Sequence, residues 1–126
     1  MEELAIPIFR KCYDLYKTFY GCRSTAPKQD RFTLWQRVET VTLAVIEHLL
    51  LASQRGGQAK REPLEQASVE LNLLRLLVRL AKDTRVIDLK RYAQIQQSID
   101  EAGRMLGGWL RSISVGNSRQ PYSRNP

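Results

Sequence analysis

Hydrophobic residues recur every three or four positions along nearly the whole chain, which is the spacing that places side chains on one face of an α-helix. Pro7 must lie within or before the first turn of the first helix because it has no N–H to donate, and Gly21 is a plausible end. Residues 23–30 then form a polar loop. The predicted core face of this helix is Ile8, Cys12, Leu15 and Phe19. An adjoining stripe with the same spacing carries Phe9, Tyr13, Tyr16 and Tyr20.

Two more helices are predicted from the same spacing. The second begins near Asp30 or Thr33, both competent N-caps, and ends at Gly56-Gly57. The third opens with Pro63 in its first turn, where a missing N–H costs nothing. The core face of the second helix is Trp35, Val38, Thr42, Val45 and Leu49. That of the third is Leu64, Ala67, Leu71, Leu74 and Val78.

The fourth helix has the most regular pattern, and Asp88 is its predicted N-cap. Its core positions are Tyr92, Ile95, Ile99, Ala102, Leu106, Trp109 and Ile113. The short connector 83–85 makes the third and fourth helices an antiparallel pair. Because no segment alternates with the period of two of a strand, we expect an all-α, antiparallel up-down four-helix bundle over residues 1–113 and a flexible basic tail over 114–126. The expected core includes Trp35, Leu49, Leu71, Leu74, Ile95, Ile99 and Leu106.

The net charge of the chain is the first indication of its function. The 126 residues include 20 Lys and Arg against 13 Asp and Glu, a formal net charge of +7, and the pI is about 9.8. Such a pI is typical of nucleic-acid binders, although the same charge also suits a soluble surface. The acidic start and the lack of an apolar run approaching ~18 residues predict a cytoplasmic protein without a membrane segment.

Residues that support catalysis do not assemble into a site. His48 is the only histidine, which excludes a His-based metal cluster, and beside Glu47 it is interpreted as a packed or surface residue. Two cysteines make no disulfide framework. The glycines at 103–108 do not follow a strand, so they form no phosphate loop. We expect no catalytic residue, metal, cofactor or small-molecule substrate, and therefore no enzyme.

A basic stripe on the third helix is the main candidate site. Arg75, Arg79 and Lys82 stand at i, i+4 and i+7. An ordinary solvated face is the alternative, but acids are scarce here, with Glu70 and Asp83 at the ends, which favours phosphate binding. Little sequence preference is expected, because the aromatic residues mostly fall on core stripes where they cannot stack on bases. Further candidate cations for nucleic acid or a partner are Arg85, Lys90, Arg91 and Arg104.

Three glycines inside the fourth helix need an explanation, since each costs up to ~1 kcal/mol relative to Ala. Gly103 and Gly107 share one face, and Gly108 lies beside them. Without side chains there, another backbone can approach closely. Packing within the monomer and an interface with a subunit or partner, including Trp109, both remain open.

A set of short segments distinguishes this chain from a generic helical bundle. They are CYDL at 12–15, FTL at 32–34 with Arg37, LNLLRLLVRLAKD at 71–83, Ile87-Asp88, Tyr92 and GRMLGGWL at 103–110. Together these segments resemble the accessory variability determinant (Avd) proteins of diversity-generating retroelements. The resemblance extends from about Leu4 to Arg111, and the tail lies outside it. A broader similarity joins these proteins to the four-helix bundles encoded in intervening sequences of bacterial ribosomal RNA.

The resemblance implies a specific role. Avd proteins form a homopentameric barrel with a positive surface, and they bind the reverse transcriptase and the template-repeat RNA of their element. The complex makes mutagenised cDNA that replaces a variable repeat in a target gene, which is called mutagenic retrohoming. Catalysis belongs to the reverse transcriptase, so this chain would be a non-catalytic partner. The alternative is a ribosome-associated or generic structural bundle without such a partner.

Overall fold

Four long helices make up most of the molecule. The computed structural model describes residues 5–118, and their side chains as far as residue 113. Short 3₁₀ turns at Arg23–Thr25 and Gly57–Lys60 lie between helices, and residues 5–118 contain no strand. This all-α architecture agrees with the predicted bundle. The helices are α1 (Ala5–Cys22), the one-turn α2 (Lys28–Arg31), α3 (Leu34–Ser53), α4 (Arg61–Asp83) and α5 (Leu89–Ser118).

The core matches the predicted helix faces. Phe19 and Trp35 are fully buried and meet edge to face, with ring centroids 5.7 Å apart. The Trp35 indole Nε1 donates a hydrogen bond to the Phe19 carbonyl at 2.8 Å, so this ring is satisfied in the core. The seven core residues expected from the sequence are all buried: Trp35, Leu49, Leu71, Leu74, Ile95, Ile99 and Leu106.

The helix ends follow the predictions in part. Asp88 caps α5, since its Oδ1 accepts a hydrogen bond from the backbone N–H of Arg91 at 2.7 Å. Thr33 precedes α3, but its hydroxyl donates to the Gln29 carbonyl at 3.1 Å and makes no capping bond. Arg85, in the α4–α5 turn, has a left-handed φ of 63°. A residue that favours this region, such as glycine, would be the usual choice there.

Polar contacts join neighbouring helices. Glu39 of α3 is 2% exposed and pairs with the Arg23 guanidinium, whose Nε donates to Oε2 at 3.1 Å. His48 Nδ1 lies 2.8 Å from Glu70 Oε1, which links α3 to α4. His48 is therefore a half-buried packing residue, as the sequence suggested.

The last helix extends beyond the boundary predicted for the bundle. The apolar spacing in the sequence stops at Ile113, whereas α5 continues to Ser118. The remaining residues of the predicted tail, 119–126, lie outside the described residues. Among the residues that are described, no helix is long and apolar enough to cross a membrane.

Candidate nucleic-acid interface

The predicted cations all reach the surface. Arg75 and Lys82 are half-buried on α4. The other five are exposed, namely Arg79, Arg85, Lys90, Arg91 and Arg104. None of these five forms an ion pair with any residue of the described part of the chain. Their charges are therefore available to an anionic partner.

A groove between α4 and α5 brings several of these cations together. It consists of two adjoining hollows of about 560 and 520 Å³, which share Asn72, Arg75 and Asp100. One hollow extends towards Arg104, and the other towards Arg79. From Ser68 to Arg79, the α4 residues that line the two hollows, the helix advances about 17 Å, so the groove is long enough for two or three successive phosphates. We call it the α4–α5 groove.

Arg75 does not have the free charge that the sequence suggested. Its Nη2 donates to Asp100 Oδ1 of α5 at 2.9 Å, and its Nη1 donates to Asn72 Oδ1 at 2.9 Å. Acids are therefore not confined to the ends of the stripe, because a neighbouring helix supplies one at its centre. Glu70, expected at one end, instead faces His48 of α3.

Lys82 is held in place at the far end of the stripe. Its Nζ lies 4.7 Å from the centroid of the Tyr92 ring and 3.4 Å from Asp83 Oδ1. The cation–π contact fixes the ammonium group against α5. Arg79, one helical turn before Lys82, is the nearest exposed cation on α4 without a partner of its own.

Gly103 and Gly107 of α5 line the α4–α5 groove. A Cβ built on Gly103 would lie 3.5 Å from Arg75 Nη2, and one on Gly107 would lie 3.3 Å from Arg111 Nη1. Gly108 likewise faces Arg111, at 3.9 Å. Within the described monomer, arginine side chains rather than another backbone lie over these glycines, and an interface with another subunit stays a prediction.

Trp109 does not belong to a surface. Its side chain is fully buried in the monomer core, so it cannot contact a partner. Its indole Nε1 has no hydrogen-bond partner among the described residues. This burial agrees with the core position predicted for Trp109 on the fourth helix.

Sequence reasoning missed Arg111 and Asp100, which also line the α4–α5 groove. Arg111 follows Gly107 by four residues, and side chains at i and i+4 of a helix are neighbours. That spacing could have predicted that Arg111 lies over Gly107. The position of Asp100 could not be predicted, because its pairing with Arg75 depends on the relative register of two helices.

A second surface of α4 is apolar and lies opposite the core. Val69, Leu76 and Leu80 are 60%, 63% and 46% exposed, and together with the half-buried Leu73 they are spaced four, three and four residues apart. A helix that is apolar on two faces normally buries both. We call these four residues the outer α4 stripe.

A comparison with protein-family models identifies the chain. A model described as bAvd-like matches residues 7–113. The chain belongs to the bAvd-like family. The match includes both helices of the α4–α5 groove, and it confirms the resemblance to the Avd proteins of diversity-generating retroelements.

The bAvd-like family is in general an accessory, non-catalytic family associated with retroelement components. No curated protein sequence matches this chain significantly. Within residues 5–113, no group of three or more His, Cys, Asp or Glu side chains is placed to hold a metal ion.

Proposed function

We propose that this protein is a cytoplasmic, non-catalytic accessory factor of a diversity-generating retroelement. In this role it binds the element's reverse transcriptase together with template RNA and cDNA, and it supports mutagenic cDNA synthesis and retrohoming. The observation that carries the proposal is the α4–α5 groove, in a member of the bAvd-like family.

Phosphate binding accounts for the chemistry of the groove. Exposed arginines donate charge-assisted, often bidentate hydrogen bonds to phosphate oxygens, and each neutralised phosphate releases counterions. Arg79 and Arg104 are exposed on opposite walls of the groove. Contacts of this kind carry no sequence information, so a partner is bound with little sequence preference.

Assembly into a closed ring is part of the proposal, with five subunits by resemblance to Avd proteins. The outer α4 stripe supports it, because its leucine and valine side chains gain from burial against a neighbouring copy. A ring requires a head-to-tail contact between two different surfaces. Light scattering at micromolar concentration should give a multiple of the monomer mass, and Val69→Asp, in the outer α4 stripe but outside the groove, should reduce that mass. A single monomer species for the unaltered chain contradicts the ring.

Salt dependence tests nucleic-acid binding. The affinity of the full chain for single-stranded and duplex oligonucleotides is measured between about 50 and 200 mM salt. Arg79→Ala should weaken binding similarly for all sequences and lower the slope of log affinity against log salt by about one. The control is Arg37→Ala, which removes an exposed arginine from α3, away from the α4–α5 groove. It should bind like the unaltered protein.

Charge reversal separates the two partners. Arg79→Glu combined with Arg104→Glu should abolish duplex binding and weaken single-strand binding if the groove holds phosphates. If affinity and salt slope stay unchanged while capture of the reverse transcriptase is lost, the groove is a protein-docking site and the RNA assignment is wrong. A gene neighbourhood without a reverse transcriptase and without a pair of repeats would favour the generic structural bundle instead.

A further inference from the structure

The second stripe of α1 is not a core face. The sequence pattern predicted that its aromatic residues fall on core stripes, but Tyr13 and Tyr20 are 62% and 64% exposed, and Tyr16 is half-buried. The expectation that aromatic side chains cannot stack on bases is therefore wrong for this helix. We call Tyr13, Tyr16 and Tyr20 the tyrosine row.

The rings of the tyrosine row follow one another along the helix. Tyr13 and Tyr20 are separated by two turns, a rise of about 10 Å. The Tyr16 and Tyr20 rings lie 6.4 Å apart between centroids, with their planes tilted by 30°. None of the three hydroxyls forms a hydrogen bond with another residue of the described part. The row thus presents exposed rings and hydroxyls without hydrogen-bond partners in the described part of the chain.

Cations border this row. Lys17 Nζ lies 5.4 Å from the centroid of the Tyr13 ring. Arg23, three residues after Tyr20, is half-buried and its charge is paired with Glu39 of α3. Lys17 is therefore the cation that directly contacts the row. Asp14, the only acid of α1, lies about 125° around the helix from the mean direction of the row.

An apolar hollow continues the tyrosine row towards the start of α1. Its volume is about 310 Å³, and its lining includes Phe9, Arg10, Tyr13 and Ile46. Arg10 is exposed at this position. A nucleobase next to Tyr13 would therefore contact apolar side chains on one side, and Arg10 would lie within reach of the phosphate of the same nucleotide.

We propose that the tyrosine row stacks the bases of single-stranded nucleic acid, an inference that rests on the proposed function. Aromatic faces bordered by cations are the usual platform for unpaired bases, because every base has a π-face and the cations neutralise its phosphates. The outer α4 stripe differs, since its aliphatic side chains offer no ring to stack and suit a protein partner. The two surfaces therefore take different ligands.

The test uses the full chain and a fluorescein-labelled oligothymidylate, with a duplex of equal length for comparison. Tyr13→Ala combined with Tyr20→Ala should weaken single-strand binding about 5- to 150-fold for each base that loses its stacking partner. Duplex affinity should stay the same because paired bases offer no free face. The salt slope should also stay the same, since no phosphate contact is removed. The matched control, Tyr13→Phe with Tyr20→Phe, keeps the rings and should bind like the unaltered protein.

Three results would overturn the inference. The first would be normal single-strand binding by the alanine variant. The second would be a loss of affinity in the phenylalanine variant as large as that in the alanine variant. Alternatively, the alanine variant changes the oligomer mass in light scattering, which makes the row a subunit contact. If Arg79→Ala lowers the salt slope while the tyrosine variants bind normally, only the stacking inference fails. If Arg79→Ala and the groove charge reversals also leave binding unchanged, the proposed function fails with it.

Discussion

Asp100 of α5 holds Arg75 of α4 across the α4–α5 groove, with 2.9 Å between Oδ1 and Nη2. The contact links the two helices and neutralises one of the arginines that face the groove. Both side chains are partly exposed, at 38% and 52%, so water screens the pair. Such a pair adds little to stability, while it lowers the positive potential at the centre of the groove.

Asp100→Asn should therefore strengthen nucleic-acid binding. The substitution frees Arg75 for a phosphate, so the salt slope should rise by about 0.7–0.9. The free energy of unfolding should change by less than about 1 kcal/mol. Glu47→Gln is the control, because it removes the same charge from an exposed position of α3 that does not line the groove. Equal effects of the two substitutions would mean that only net charge matters.

Core packing leads to a second prediction. Leu74 is fully buried on α4, whereas Leu76, two residues later, is 63% exposed. Leu74→Ala should lower the free energy of unfolding by about 2–5 kcal/mol, because it removes buried methyl groups and leaves a cavity. Leu76→Ala should change the stability of the monomer by no more than about 0.5 kcal/mol. Urea denaturation at low protein concentration measures both, and equal losses would contradict the assigned faces.

The core could be predicted from the sequence because apolar spacing directly reports a buried helix face. The same spacing wrongly predicted that Tyr13 and Tyr20 are buried. Two adjacent stripes of one helix have identical periods, and only one of them packs against the other helices. The Arg75–Asp100 pair could not be predicted for a different reason. It depends on how far α4 and α5 are displaced along each other, which no local pattern encodes.

The thiol of Cys12 gives a prediction about pH. Burial raises its pKa from 9.0 to about 12. The pKa of this thiol is higher in the folded state than in the unfolded state. Its contribution to the stability of the fold is therefore complete below pH 9 and is lost as pH rises towards 12. Above pH 9, the unaltered protein should therefore lose stability relative to Cys12→Ala, by at most about 1.4 kcal/mol per pH unit. Melting curves of both proteins at pH 8–11 measure this, and parallel losses would contradict it.

The same burial should protect the thiols from alkylation. The thiolate is the reactive form, and burial raises the pKa of Cys22 as well, although the charge of Arg91 partly opposes this effect. At pH 8, iodoacetamide should label the folded chain much more slowly than the urea-unfolded chain. Rapid labelling of Cys12 in the folded state would show that α1 opens locally.

Arg85 has an unfavourable backbone conformation and is also a candidate for binding phosphate. Replacing it should show the effect of the backbone on stability separately from the effect of the side chain on binding. Its φ of 63° costs an L-residue about 1–2 kcal/mol, of which glycine's extra chain entropy offsets about 0.5–1 kcal/mol. Arg85→Gly should therefore stabilise the fold by up to about 1.5 kcal/mol while weakening nucleic-acid binding and lowering the salt slope by about 0.7–0.9. Arg85→Lys keeps both the charge and the backbone cost, so it should match the unaltered protein in both measurements. If Arg85→Gly is more stable and binds normally, Arg85 contacts no phosphate, and the binding surface ends before the α4–α5 turn.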